Sequence, residues 1–181
     1  MRHRFKAFSL LAVLAGLTLG AGSLQAQFAP GYTGFGPTLG LGNIGDAGIA
    51  VGGRFEHGIK PIPELGKGTL SFAASVDFYS WSTNGVGFDY SVKYIPFGAT
   101  ANWNFAIASA PKFDPFLGLG LGYRIVTCNY NGVGACGYNS AVYFIGRAGA
   151  RYFLKPQTAL YADLGAGAAT LNFGVMFSAG E

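Results

Sequence analysis

From Ile95 to Ile107 every odd position is apolar: Ile95, Phe97, Ala99, Ala101, Trp103, Phe105 and Ile107. Between them stand Pro96, Gly98, Thr100, Asn102, Asn104 and Ala106. A period of two is the signature of a β-strand with one apolar face. Leu117, Leu119, Leu121, Tyr123 and Ile125 repeat it against Gly118, Gly120, Gly122 and Arg124. Further copies run through Leu70–Phe78, Val142–Leu154, Leu160–Ala166 and Leu171–Phe177. Ile49, Val51 and Phe55 make a shorter copy, and Phe35, Leu39 and Leu41 a weaker first one. The pattern predicts eight strands, near 32–42, 47–59, 67–81, 92–107, 113–127, 140–154, 158–167 and 169–178. No stretch shows a helical period, and after the first 26 residues none is apolar for the 18 positions of a transmembrane helix.

The connections alternate in chemistry. Lys60–Glu64, Ser109–Lys112 and Lys155–Thr158 each carry Lys and Pro. Ser82–Asp89 and the stretch between Cys128 and Cys136 are rich in Gly, Asn and Ser, and tight links fall near Asn43–Asp46 and at Gly167. Two alternating sets of turns are what an antiparallel up-and-down barrel presents, one set at each end.

The face opposite the apolar one carries Gly, Ala, Ser, Thr, Asn and Tyr. It also carries Arg54, Glu56, Asp77, Arg124, Arg147, Arg151 and Asp163. A soluble barrel would turn this second face to water. A membrane barrel would turn it into the lumen and give the apolar face to lipid. Composition favours the membrane barrel: only 11% of residues are charged while half are hydrophobic, and 30 of 181 are glycine. Average chains carry about 25% charge and about 7% glycine. Glycine weakens an exposed strand but suits a crowded eight-stranded interior. Four arginines against three acids form a nearly balanced lumen charge network, which a low-dielectric interior requires.

Residues 1–26 read as a secretory signal peptide: Arg2, Arg4 and Lys6, an apolar run over 7–19, and Ala26 at the cleavage point. Residues 27–181 then form the barrel domain. Without the leader the formal charge falls from +4 to about +1, so no basic face points to nucleic acid. Export to an oxidising compartment predicts a disulfide between Cys128 and Cys136. Aromatic residues at strand ends predict interfacial girdles. One comprises Trp103, Phe105, Phe113, Tyr152 and Phe177, the other Trp81, Tyr90, Tyr94 and Tyr123.

Two segments resemble a known family. Asp114–Tyr123, DPFLGLGLGY, is similar to a strand of the small outer-membrane β-barrel superfamily, the eight-stranded barrels such as OmpX, OmpW and the membrane domain of OmpA. Asn172, Gly174 and Phe177 resemble the C-terminal assembly signal of that superfamily, although Ser178–Glu181 follow where a final aromatic is expected. The resemblance covers about residues 32–178. It implies an outer-membrane location in a Gram-negative-type envelope, contact with outer-membrane lipid, and recognition by the barrel-assembly machinery.

Little chemistry is expected. Gly40–Gly45 fits the dinucleotide pattern G-x-G-x-x-G, but a strand follows where a helix is needed. His57 is the only histidine after the leader. It falls on the lipid-facing parity near the periplasmic end of the second strand, away from the end a lipid-hydrolysing enzyme of the outer leaflet would use. No catalytic residue, cofactor or metal site is assigned. The expected protein is a monomeric, porin-like barrel with a structural or surface-interaction role, presenting Ser82–Asp89 and Asn129–Gly137 outside. The alternatives are a narrow pore or small-ligand transport barrel of the OmpW kind, or less favourably a lipid-modifying enzyme.

Overall fold

The computed structural model describes residues 28–85, 88–131 and 137–179. Eight strands follow one another: β1 (Thr33–Leu41), β2 (Ala50–Pro61), β3 (Gly68–Gly85), β4 (Phe88–Phe105), β5 (Phe113–Asn131), β6 (Ala141–Lys155), β7 (Thr158–Ala166) and β8 (Leu171–Ser178). Each pairs antiparallel with its neighbours, and β1 pairs with β8, which closes the barrel. Among the described residues no helix is long and apolar enough to cross a membrane. The predicted leader, 1–26, lies outside the described residues, as does Cys136, so the proposed partner of Cys128 is not seen.

The alternation divides inside from outside as expected. In β5 the outward Leu119 and Leu121 are 64% and 62% exposed, whereas Phe116 on the other parity is 2% exposed. Val142 and Leu164 are as open as the leucines, at 67% and 61%. A belt of bare aliphatic side chains around a whole barrel is unfavourable in water by roughly 25 cal/mol per Å², and stable where lipid covers it.

The strands differ in height. β3, β4 and β5 have 18, 18 and 19 residues, while β1, β7 and β8 have nine, nine and eight. About 9–11 residues cross a bilayer, so β3–β5 overhang it on one side. The outward residues mark where water begins. Val76, Phe97 and Tyr123 share one row, Ile95 faces Ile125 in the next, and above them Lys93 lies between Ser80 and Thr127. Ser82, Ser91 and Asn129 form the next row.

This overhang corrects one expectation. Ser82–Asp89 is mostly the paired tip of a hairpin, with Ser82 opposite Ser91, Thr83 opposite Tyr90 and Asn84 opposite Asp89. Cys128 to Asn131 likewise belong to β5. Both segments read as loops because their outward positions are polar, which here reports water outside the wall.

The second girdle is corrected too. Trp81, Tyr90 and Tyr94 have inward parity. Tyr94 stacks on Tyr79 and Trp81, with centroids 5.0 and 5.2 Å away, and Tyr138 meets Trp81 edge-on at 5.7 Å. The 3-10 turn Gly45–Ala47 packs on this stack. Gly45 has φ +61°, and a Cβ there would lie 2.6 Å from the Trp81 ring, so glycine is required on both counts. Tyr123 does face outward, beside Phe97. At the other rim Phe113, Tyr152 and Phe177 are about 40% exposed, at 40%, 39% and 43%, and Trp103 meets Phe105 edge-on. These belong to the outer wall, as a girdle requires.

Candidate functional site

The barrel interior holds the polar chemistry, in layers. The lowest, at the end where β1 begins and β8 ends, centres on Arg151 of β6. Its Nε donates to Asp114 Oδ2 and its Nη1 to Glu56 Oε2, both at 2.7 Å, and Nη2 donates to Asn104 Oδ1. Ser71 and Asn102 donate to the other Glu56 oxygen at 2.5 and 3.0 Å. Asn104 donates in turn to the Thr69 carbonyl and to Ser71. Arg151 and Glu56 are both 0% exposed. Such a cluster is sustained only because every charge has a partner.

Aromatic rings close this layer from below. The Phe28 ring lies 4.1 Å from the Arg151 guanidinium carbon, a cation–π contact, and Tyr32 packs on Phe28. The short N-terminal segment is pinned by Gly31 and Gly58: the Gly31 amide donates to the Gly58 carbonyl, and the Gly58 amide to the Tyr32 carbonyl.

The middle layer centres on Asp163 of β7. It accepts from Arg54 at 2.8 Å, Asn172 at 2.8 Å and Tyr161, and pairs with Arg147 at 3.2 Å. Arg147 also donates to the Thr170 carbonyl. Tyr161 stacks on Phe116 and connects the two layers. Above lies a cavity of about 20 Å³ lined by Arg54, Ser75, Asp77, Thr100, Tyr143 and Arg147. That is room for about one water molecule. The Arg54 Nε, buried without a protein partner, is one of its walls.

Glycine makes these layers possible. A Cβ on Gly118 would lie 2.2 Å from Asn102 Oδ1, one on Gly122 2.3 Å from the Tyr143 ring, and one on Gly52 2.1 Å from Asp77. Each sits on a strand beside the large side chain it admits. These inward glycines are therefore not empty space. They yield their space to a neighbour that crosses it.

The seven predicted lumen residues separate by depth. Arg151 and Glu56 share the lower cluster, and Arg54, Arg147 and Asp163 the middle one. Asp77 is buried beside the small cavity and, among the described residues, makes no ion pair or side-chain hydrogen bond. Arg124 departs from the network. It is exposed on the inward parity of β5, and among the described residues its guanidinium has no ion pair. It lines a recess of about 220 Å³ with Asn43, Tyr79, Pro96 and Tyr143.

Asp114 is a site residue the sequence reading missed. It is 3% exposed and pairs with Arg151 at 2.7 Å. Extending the β5 parity one step below Phe116 would have found it. Of the proposed assembly signal, Asn172 faces the lumen on Asp163, Gly174 lies opposite Thr38 and Tyr161, and Phe177 faces outward beside Phe35. His57 is exposed on the outer wall, and its Nδ1 is 2.8 Å from the Thr33 hydroxyl.

No protein-family model matches the chain, and no curated protein does. Solved structures do. The outer membrane protein OprG from Pseudomonas aeruginosa is 12% identical over 84% of this chain and 98% of its own, with a TM-score of 0.53. Ail, the attachment invasion locus protein of Yersinia pestis, was solved alone and with the heparin analogue sucrose octasulfate. Both structures are 12% identical over 81% of this chain and 93% of theirs, with TM-scores of 0.46 and 0.49. At this identity the likeness to OprG speaks to the fold alone. The chain has the fold of the small eight-stranded outer-membrane β-barrels.

Proposed function

We propose that this protein resides in an outer membrane as a sealed, monomeric barrel that conducts no solute and catalyses no reaction. Its role is structural or one of surface contact, carried by the β3–β5 overhang. The observation that supports this is the lower layer: Arg151 and Glu56, both fully buried, span the lumen between β6 and β2, with Asp114 from β5 and the Phe28 ring around them. An eight-stranded barrel has an interior just wide enough to be filled by side chains, and in this layer they fill it.

The same reading gives the other parts their places. Residues 1–26 direct export and are removed. The outer wall meets outer-membrane lipid, and the last strand, with Asn172, Gly174 and Phe177, is read by the barrel-assembly machinery. A Cys128–Cys136 disulfide closes the tip beyond β5. His57 is an interfacial residue, since its ring partner is Thr33 and it lies on the lipid side of the wall. The test is electrical. Purified protein inserted into planar bilayers should give no discrete conductance steps, and regular steps would refute the sealed barrel. Heat-modifiable migration on a gel, with recovery in the detergent-soluble membrane fraction, tests residence in the membrane.

A further inference from the structure

The lumen is neutral as a whole and polarised along its length. With Asp114 included, four arginines face four carboxylates. In the lower layer Arg151 meets two acids, Glu56 and Asp114, which leaves an excess negative charge. In and just above the middle layer Arg54 and Arg147 are matched in number by Asp163 and Asp77. The excess positive charge is Arg124, placed in the outer recess.

Charge separated in this way, between low-dielectric walls, draws an anion to the outer mouth and repels it from the deeper end. The recess has the form of a small binding pocket. The part-exposed Tyr143 supplies a ring surface, Tyr79 and Pro96 are buried behind the wall, and Arg124 supplies a cation with no acidic partner among the described residues. Asn43 joins them from the β1–β2 connection and is the one non-glycine residue with a positive φ among the described residues, at 58°. Sites for drug-sized ligands run from about 300 to 1,000 Å³. At about 220 Å³ the recess suits something smaller. Below it, past Tyr143, Gly167 and Ala168, the space narrows to the cavity of about 20 Å³.

We infer that the outer recess is a blind binding site for a compact organic carboxylate, its anionic group held by Arg124 and its apolar or aromatic body set against the Tyr143 ring. The planar guanidinium matches a carboxylate with two parallel hydrogen bonds. That the site is blind rests on the sealed-barrel reading, whereas carboxylate binding by Arg124 does not, and bilayer recordings measure conduction separately.

The experiment is a ligand-observed NMR titration of folded protein in non-ionic detergent. Its probes are benzoate, neutral benzamide and cationic benzylamine, all of similar size and shape. Benzoate should bind saturably and at least tenfold more tightly than either analogue. Arg124→Gln should weaken benzoate at least tenfold while leaving the heat-modifiable gel shift intact, because the side chain is exposed and unpaired. Absence of saturable benzoate binding, equal binding of benzamide, or benzoate binding unchanged in folded Arg124→Gln would each overturn the assignment.

Discussion

The two ends of the lumen use the same chemistry to opposite effect. At the lower end, Arg151 is fully buried and touches Glu56, Asp114, Asn104 and the Phe28 ring. At the outer end, Arg124 is exposed and lines open space. Both project inward from strands of one barrel. What separates them is the supply of partners: Glu56 of β2, Asn104 of β4 and Asp114 of β5 converge on Arg151, whereas Arg124 has no ion pair among the described residues. A lumen arginine thus becomes a plug or a receptor according to whether its neighbours complete its hydrogen bonds.

The largest expected effect comes from breaking the closed end. Arg151→Ala leaves Glu56 and Asp114 buried without their cation, and stranding buried charge costs about 3–5 kcal/mol. Urea unfolding in detergent micelles, followed by the gel shift, should show a loss of that size. A loss below about 1 kcal/mol would mean that the cluster is hydrated and the plug is loose.

Next comes Gly118→Val. Its branched side chain must share the space held by Asn102 Oδ1, 2.2 Å from the ideal Cβ position. Overpacking of this kind costs about 1–3 kcal/mol. The same unfolding assay should place the loss between those of Arg151→Ala and Arg124→Gln. The smallest effect belongs to Arg124→Gln. No ion pair is lost, and an exposed substitution away from such features changes stability by no more than about 0.5 kcal/mol. A larger loss would show that Arg124 belongs to the lumen network after all.

The barrel itself was legible because one physical rule, a dry outer wall, acts on every second residue for the full height of the bilayer. That rule stops at the headgroups. Above Phe78, Ile95 and Ile125 both faces of β3–β5 change meaning: Ser80, Lys93 and Thr127 look polar because they meet water, and Trp81 and Tyr94 look like girdle aromatics although they point inward. Strand parity already assigned them to the lumen, and aromatic character alone misplaced them. Parity likewise named Arg124 and Arg151 as lumen residues. It could not tell them apart, because depth and pairing depend on which residues the neighbouring strands bring to the same height. Asp114 was hidden by its place at the start of β5, where Pro115 follows and the residues before it read as a turn.

The central claim is that the lumen is closed below and open above, and thiol accessibility tests it most directly. In a chain whose two native cysteines are replaced by serine, Tyr143→Cys borders the outer recess and Ser71→Cys lies in the buried lower cluster. Folded protein in detergent leaves both mouths open to a charged thiol reagent. The account predicts rapid labelling at 143 and none at 71 until the barrel is unfolded. Labelling of folded protein at 71 at a rate comparable to that at 143 would contradict it.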